Sequence, residues 1–131
     1  LMGRQKIHEF YPYIYPRRVW VVRGLKQNEI QDFFSLRNGD SIVFDDTEGN
    51  EPLCTVFPYI KLRENGKYGI LVLISEKISV SDIAHESTHV AMEIFNDLGA
   101  IITYDNQEPF AYLVGWVADC INQVRIGKFK Y

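Results

Sequence analysis

The chain has 131 residues, 47% of them hydrophobic and 24% charged, which is enough for one folded domain with its own core. Its formal net charge of −3, from 14 basic and 17 acidic residues, argues against a nucleic-acid-binding surface. The longest apolar run, residues 70–74, is far shorter than the roughly 20 residues that cross a bilayer, which argues against a membrane partner.

The first 50 residues predict a short helix with one strand before it and one strand after it. Aromatic residues alternate with prolines over residues 10–16, which favours an extended segment. Residues 19–22 are β-branched or aromatic and predict the first strand, and residues 41–44 predict the second. Between them, apolar spacing predicts a helix over residues 26–34. The acidic run at residues 45–50 lacks the spacing of a calcium-binding EF-hand loop and predicts a solvated turn.

A hairpin is predicted in the middle of the chain. Residues 55–62 and 68–74 both have strand-like composition, and Asn65-Gly66 lies between them. The Asn-Gly pair favours the positive φ angles of a tight turn.

The motif His-Glu-Ser-Thr-His at positions 85–89 predicts a metal site. On a helix, His85 and His89 lie one turn apart on the same face, so both imidazoles can bind one metal ion. Glu86 is offset around the helix and would stand beside the metal, within reach of a water molecule that it can deprotonate. The alternative interpretation is a pair of histidines hydrogen-bonded to their neighbours.

The surrounding sequence favours the metal interpretation, because it places the motif within a helix. Ser79 and Asp82 have the spacing of a capping box, which marks a helix N-terminus. Gly99 follows the last apolar residue of the periodic segment and marks the helix end. The motif therefore falls in mid-helix, where two histidines four residues apart can act together.

A catalytic zinc site needs three protein ligands and a water molecule, so the two histidines leave one ligand to be found. His8 is the only other histidine, and Cys54 and Cys120 are the only thiols. Glu108 is the better candidate, because Pro109 marks the first turn of a second predicted helix. The two cysteines flank no metal-type spacing and predict reduced thiols. Together with the absence of a signal-like segment at the start, they favour a cytoplasmic protein.

With a His-Glu-x-x-His helix followed by a helix that begins with glutamate, the last part of the chain resembles the gluzincin branch of zinc metallopeptidases. The resemblance implies Zn²⁺ bound by His85, His89 and Glu108, with Glu86 as the general base of peptide hydrolysis. There is no room for the large C-terminal helical subdomain of thermolysin-like enzymes, and in size the chain resembles minimal gluzincins of bacteria and phages. In zincins a strand over the cleft binds extended substrate, and either arm of the hairpin predicted here could do the same. The second arm equally fits an ordinary buried strand.

The second helix, predicted to continue to about residue 124, offers other side chains to such a site. Tyr112 and Asp119 share a face with Glu108, although a structural role is the simpler interpretation of both. Tyr112 or Tyr104 is a candidate donor to an oxyanion. Gly115, in mid-helix, predicts a close crossing with the histidine helix.

We therefore expect residues 1–131 to form one α+β, zincin-like domain: a small, mostly antiparallel twisted sheet of about three to five strands with both ligand helices packed beside it. The predicted function is a zinc-dependent hydrolase, most simply a peptidase with a peptide or protein substrate. A non-catalytic zincin-like module that binds a partner peptide is the competing class. A metal-dependent amide hydrolase acting on a small molecule would use the same residues in a deep, closed pocket.

Overall fold

The computed structural model describes residues 2–44 and 53–130, so the whole of the acidic turn predicted at residues 45–50 lies outside the described residues. The described part is an α+β fold with a five-stranded mixed sheet and three α-helices, which confirms the predicted class. After a 3-10 turn at Arg4–Lys6, the elements are β1 (Ile7–Phe10), β2 (Arg18–Arg23), α1 (Gln27–Phe33), β3 (Phe34–Leu36), β4 (Cys54–Leu62), β5 (Tyr68–Ile74), α2 (Val80–Asp97) and α3 (Glu108–Ile126). None of the helices in the described ranges is long and apolar enough to cross a membrane.

The sheet is mostly antiparallel, as the sequence predicts. Its strand order is β1-β2-β5-β4-β3, and β2 with β5 is the one parallel pair among the described strands. β5 is central, with a strand on each side. Its continuous apolar run is explained by burial on both faces of the sheet.

Two hydrophobic clusters cover the two faces of the sheet, because successive residues of a strand point to opposite sides. On β2, Val19 and Val21 belong to the cluster that includes α2 and α3. Trp20 and Val22, which alternate with them, belong to the cluster that includes α1. The two long helices therefore share one face of the sheet, and α1 covers the other.

The predicted hairpin is confirmed as β4 and β5, but its turn differs from the expected tight one. The connection has five residues, 63–67, and among them Gly66 alone has a positive φ, at 70°. Asn65 instead accepts a hydrogen bond at its side-chain oxygen from the Lys67 N–H at 3.0 Å. Because this Asx contact shapes part of the turn, only Gly66 takes a positive φ angle in it. The loop is therefore longer than the two-residue turn that the sequence predicts.

The strand predicted at residues 41–44 is wrong, since that segment forms no regular secondary structure. The chain leaves α1 at Phe34, where φ is −127° and ψ is 151°, and continues directly into β3. The Leu36 N–H then donates to the Asp40 carbonyl at 2.8 Å and closes a turn. The pair Phe33-Phe34 therefore joins a helix end to a strand start. A further strand, β1, pairs with β2 and ends at Phe10, where the predicted extended segment begins. Residues 13–16 of that segment bend, and Tyr13 has a positive φ of 54°, so the prediction is wrong there.

Both long helices lie where the sequence predicts them, and they run antiparallel. Phe95, near the end of α2, packs against Phe110, near the start of α3, with ring centroids 5.5 Å apart. The close crossing predicted at Gly115 is wrong, because this residue is exposed and a Cβ atom added there meets nothing within 4 Å. The helices pack through larger side chains.

Candidate metal centre

The start of α2 is defined by the predicted capping box. The Ser79 hydroxyl accepts a hydrogen bond from the Asp82 N–H at 3.2 Å, and the Asp82 carboxylate accepts from the Ser79 N–H at 2.9 Å. The Ser79 hydroxyl also donates to Asp82 Oδ2 at 2.7 Å. The hydrogen bond from the Ser79 N–H, and then the one from the Ser79 hydroxyl, hold the pKa of Asp82 below its usual range. The helix is thus anchored less than two turns before the histidine motif.

The apolar side of α2 determines which way the motif faces. Ile83, Val90, Ala91 and Ile94 are buried in the core under the sheet. Because His85 and His89 lie on the opposite side of the helix, both are exposed. Core packing therefore presents the two imidazoles together to solvent.

The two imidazoles have a spacing that fits one zinc ion. Their Nε2 atoms are 3.2 Å apart, and their ring centroids are 4.7 Å apart. Two nitrogens bound at 2.0–2.1 Å in a tetrahedral arrangement would be about 3.4 Å apart. Without a metal, one ring would have to donate a hydrogen bond to the other. The donor pair and its spacing are thus compatible with the metal interpretation.

Glu86 lies beside this pair, with Oε1 3.8 Å from the His85 Nε2. It is half-buried and faces a cleft of about 460 Å³ between α2 and β4. The cleft is lined by Cys54, Thr55, Val56, Pro58, Glu86, His89 and Glu93. One carboxylate and one imidazole of the motif therefore open into the same space. A larger cavity of about 610 Å³, beside Leu25 and Phe57, contains no side chain of the motif.

The wall of the cleft opposite α2 is a strand with a partly open edge. Ile60–Leu62 of β4 pair with β3 on one side and continue the sheet. Residues 54–57 pair with β5 on the other side, and no strand in the described ranges pairs with their outer edge. The register shifts between Phe57 and Ile60, around Pro58, which separates the two halves. Since β5 has partners on both sides, β4 is the hairpin arm with an edge beside the motif that no described strand pairs with.

Glu108 is the first residue of α3 and is exposed. The contact of Phe110 with Phe95 holds the first turn of α3 against the last turns of α2, beyond His89. Among residues 2–44 and 53–130, no group of three or more His, Cys, Asp or Glu side chains is arranged to hold a metal ion. The structure thus brings His85, His89 and Glu86 together and leaves Glu108 outside their group.

The other candidate ligands are distributed over the fold. His8 lies on β1, at the far edge of the sheet, and stacks on Phe129 with centroids 4.6 Å apart. Burial lowers its pKa. Cys120 is buried in the core, whereas Cys54 lines the cleft, and both are free thiols. Burial, followed by the Glu86 and Asp82 carboxylates, raises the pKa of Cys54 to about 12, so it is a neutral thiol at pH 7.

The other side chains predicted near the site, on α3 and in the loop before it, are either held by other contacts or exposed. Asp119 forms an ion pair with Lys130 at 2.8 Å and accepts a hydrogen bond from Gln123 at 3.3 Å. This supports the structural interpretation of Asp119. Tyr112 and Tyr104 are 76% and 89% exposed, so packing holds neither ring toward the histidine pair.

Sequence reasoning missed Glu93 as a member of the cleft. It lies four residues after His89 and seven after Glu86, which are the spacings of one and two helical turns. This periodicity was the available signal. The periodicity does not give the position of β4, and it is β4 that makes this side of α2 a wall of the cleft.

Comparison with known protein families, characterised proteins and solved structures finds no match to this chain. The function is therefore inferred from the residues and geometry of the cleft.

Proposed function

We propose that this protein is a zinc-dependent peptidase of gluzincin type, with its active site at the cleft between α2 and β4. The single observation that carries the proposal is the exposed His85–His89 pair, with Nε2 atoms 3.2 Å apart and the Glu86 carboxylate beside it. Two imidazoles and an adjacent carboxylate are the donor and base set of a hydrolytic zinc site.

His85 and His89 would hold the ion through their Nε2 atoms, and Glu108 would supply the third ligand. Exposure of Glu108 at the start of α3 leaves its side chain free to change rotamer. A bound zinc ion would lower the pKa of a water molecule toward about 7 and polarise a substrate carbonyl. Glu86 would accept a proton from the attacking water and return it to the leaving amine.

The shape of the cleft favours an extended peptide over a small molecule. Its wall is the open edge of residues 54–57, whose outward N–H and C=O groups can pair with another main chain. A peptide added there would lie along α2, next to His89 and Glu86. An open strand edge is what distinguishes this site from the deep pocket of a small-molecule amide hydrolase.

The same open edge keeps a non-catalytic peptide-binding module as the second candidate. Among the described residues, Glu108 is not grouped with the histidine pair, and two protein ligands alone hold zinc weakly. In this alternative the cleft binds a partner peptide and Glu86 has no proton to transfer. The two candidates differ in zinc content and in hydrolysis.

The test compares wild type with Glu86→Gln and His85→Ala. Wild type is expected to bind one zinc ion and to cleave peptides from a mixed library. Glu86→Gln should retain zinc and lose activity by about a hundredfold or more, because only the proton-transfer group is removed. His85→Ala should lose zinc. Zinc at about 100 times its Kd should stabilise wild type by about 2.7 kcal/mol, measured as a rise in Tm, and should leave His85→Ala unchanged.

Asp32→Asn is the matched control, since it neutralises an exposed carboxylate on α1, across the sheet from the cleft. It should behave as wild type in all three measurements. Equal cleavage by wild type and Glu86→Gln would refute the mechanism. Zinc-free wild type with no thermal response to zinc would refute the metal site.

A further inference from the structure

The carboxylate of Glu93 is the feature of the cleft that the proposed chemistry does not use. It is half-buried and lines the cleft one helical turn beyond His89. Neighbouring acidic residues of α2 have partners: Asp82 has the Ser79 cap, and Asp97 has Arg17 and Arg37. Within the described ranges, the Glu93 carboxylate forms no hydrogen bond or ion pair.

The lysines and arginines of the described residues lie outside this cleft, and Arg17 and Arg37 pair with Asp97, one helical turn beyond Glu93. The cleft lining contains two carboxylates, Glu86 and Glu93, and no lysine or arginine. Residues 45–52, outside the described ranges, cannot contribute a basic side chain either, because that segment contains four acidic residues and no lysine or arginine. A half-buried carboxylate without an ion-pair partner can bind a cation from outside the protein.

The direction of a bound peptide follows from the strand beside it. β4 runs the same way as α2, since Cys54 lies near Asp82 and Glu86 while Pro58 lines the cleft with Glu93. Antiparallel pairing is the more stable arrangement, so a peptide on the β4 edge would run from Glu93 toward Glu86. Its residues on the amino side of the scissile bond would then lie next to Glu93.

The spacing defines which residue Glu93 would contact. Four helical residues place Glu93 about 6 Å beyond His89 along the helix axis. An extended peptide covers this distance in about two residues. The carboxylate therefore lies opposite the first or second residue before the scissile bond.

We propose that Glu93 selects peptides with a positive charge at one of these two positions, either a lysine or arginine side chain or a free terminal amine. This inference rests on the proposed function, which supplies both the peptide site and the position of the scissile bond. It is supported by the position of Glu93 in the cleft, by a described cleft lining that contains no lysine or arginine, and by the edge of β4 at residues 54–57, with which no described strand pairs.

The first experiment measures cleavage of acetylated, amidated hexapeptide mixtures in which one position is Lys, Ala or Glu, with the cut site located by mass spectrometry. Lys over Glu should be preferred by about five- to tenfold in kcat/KM at the first or second position before the cut. Glu93→Gln should abolish the preference, and Glu93→Lys should reverse it. Asp32→Asn should keep it. The preference should diminish in 1 M salt, where the screening length is about 3 Å.

A second pair of peptides, identical except for a free or acetylated amino terminus, separates the two sources of charge. If the free amine alone is favoured, Glu93 recognises a peptide terminus; if internal Lys is favoured in acetylated peptides, it recognises a side chain. Either result supports the inference. Equal cleavage of Lys, Ala and Glu peptides, with no effect of acetylation, would overturn it while leaving the peptidase function intact.

Binding to Glu86→Gln makes the inference testable without catalysis. Fluorescence anisotropy of the same peptides, labelled at the carboxyl terminus, should show Lys or free-amine peptides binding about five- to tenfold more tightly, and Glu86→Gln/Glu93→Gln should lose this difference. A charge preference in binding without any hydrolysis by wild type would refute the peptidase and retain the role of Glu93. Absence of binding by every peptide would refute the role of Glu93.

Discussion

Replacing Gly115 by alanine tests how the two long helices pack. Gly115 lies in the middle of α3 and is exposed, and a Cβ atom built there meets nothing within 4 Å. Alanine adds no clash and removes the extra backbone entropy that glycine loses on helix formation. Gly115→Ala should therefore raise the free energy of unfolding by about 0.8–1.0 kcal/mol. For a chain of this size, Tm should rise by about 3–4 °C.

Gly69→Ala is the contrasting substitution, because there the added atom has no space. The Cβ atom would lie 2.6 Å from Arg18 Cγ, 2.7 Å from Trp20 Cζ3 and 2.8 Å from the Arg18 carbonyl oxygen. Trp20 is fully buried, so its ring cannot move into solvent. The backbone of β2 or β5 has to shift, and the cost should be about 2–3 kcal/mol.

Urea unfolding followed by far-UV circular dichroism measures both variants against wild type. A loss of more than about 1 kcal/mol in Gly115→Ala would refute the packing described here and restore the close helix crossing that the sequence predicts. That outcome would also matter for the site, because α3 carries Glu108. A closer α3 would change the position of Glu108 relative to the histidine pair.

Two further substitutions test α2. The Ser87 hydroxyl is buried with no hydrogen-bond partner among the described residues, so Ser87→Ala should raise the free energy of unfolding by about 1 kcal/mol in urea titrations; a loss would reveal a partner. Ser79→Ala should cost about 1 kcal/mol at pH 7 by removing the helix cap. Because Asp82 has a lowered pKa, its contribution is full above about pH 4 and is lost as pH falls through the lowered value, so the Ser79→Ala deficit should shrink on acidification; a pH-independent deficit would contradict this.

The sequence predicts α2 and α3 well because their signals are local. The Ser79–Asp82 capping box, the stop at Gly99 and the proline at position 109 act within one turn of the residues they influence. The apolar periodicity between these signals is long enough to distinguish helix from strand. Helices with strong caps and sustained periodicity can therefore be predicted without tertiary information.

The short edge elements are predicted less well, because their structure depends on available strand partners. Residues 41–44 have strand-like composition but form no strand, while the three residues of β3 pair with the end of β4. β1 has four residues and exists as a strand through its pairing with β2. Local strand propensity is too weak to predict whether these segments become strands. Their pairing is determined by the arrangement of the whole sheet.

In the candidate site too, the parts that depend on local geometry are predicted and the parts that depend on tertiary structure are not. The His85–His89 pair follows from helical geometry alone, and the structure brings these side chains together as predicted. The placement of Glu108 depends on the loop between α2 and α3 and on a side-chain rotamer, neither of which a local pattern specifies. The contribution of Glu93 depends on the position of β4, which comes from the hairpin and the sheet.

Under the proposed function, one side of α2 carries two carboxylates with different roles, and their spacing explains why the roles can be separate. Glu86 and Glu93 are two turns apart, or about 10 Å along the helix axis. That separation exceeds the screening length of about 8 Å at physiological salt, so a cation held at Glu93 would not contact Glu86. Glu86 lies next to the histidine pair, where a proton acceptor is needed. Glu93 lies one turn beyond His89 in the same cleft, where it can bind charge without altering the proton transfer.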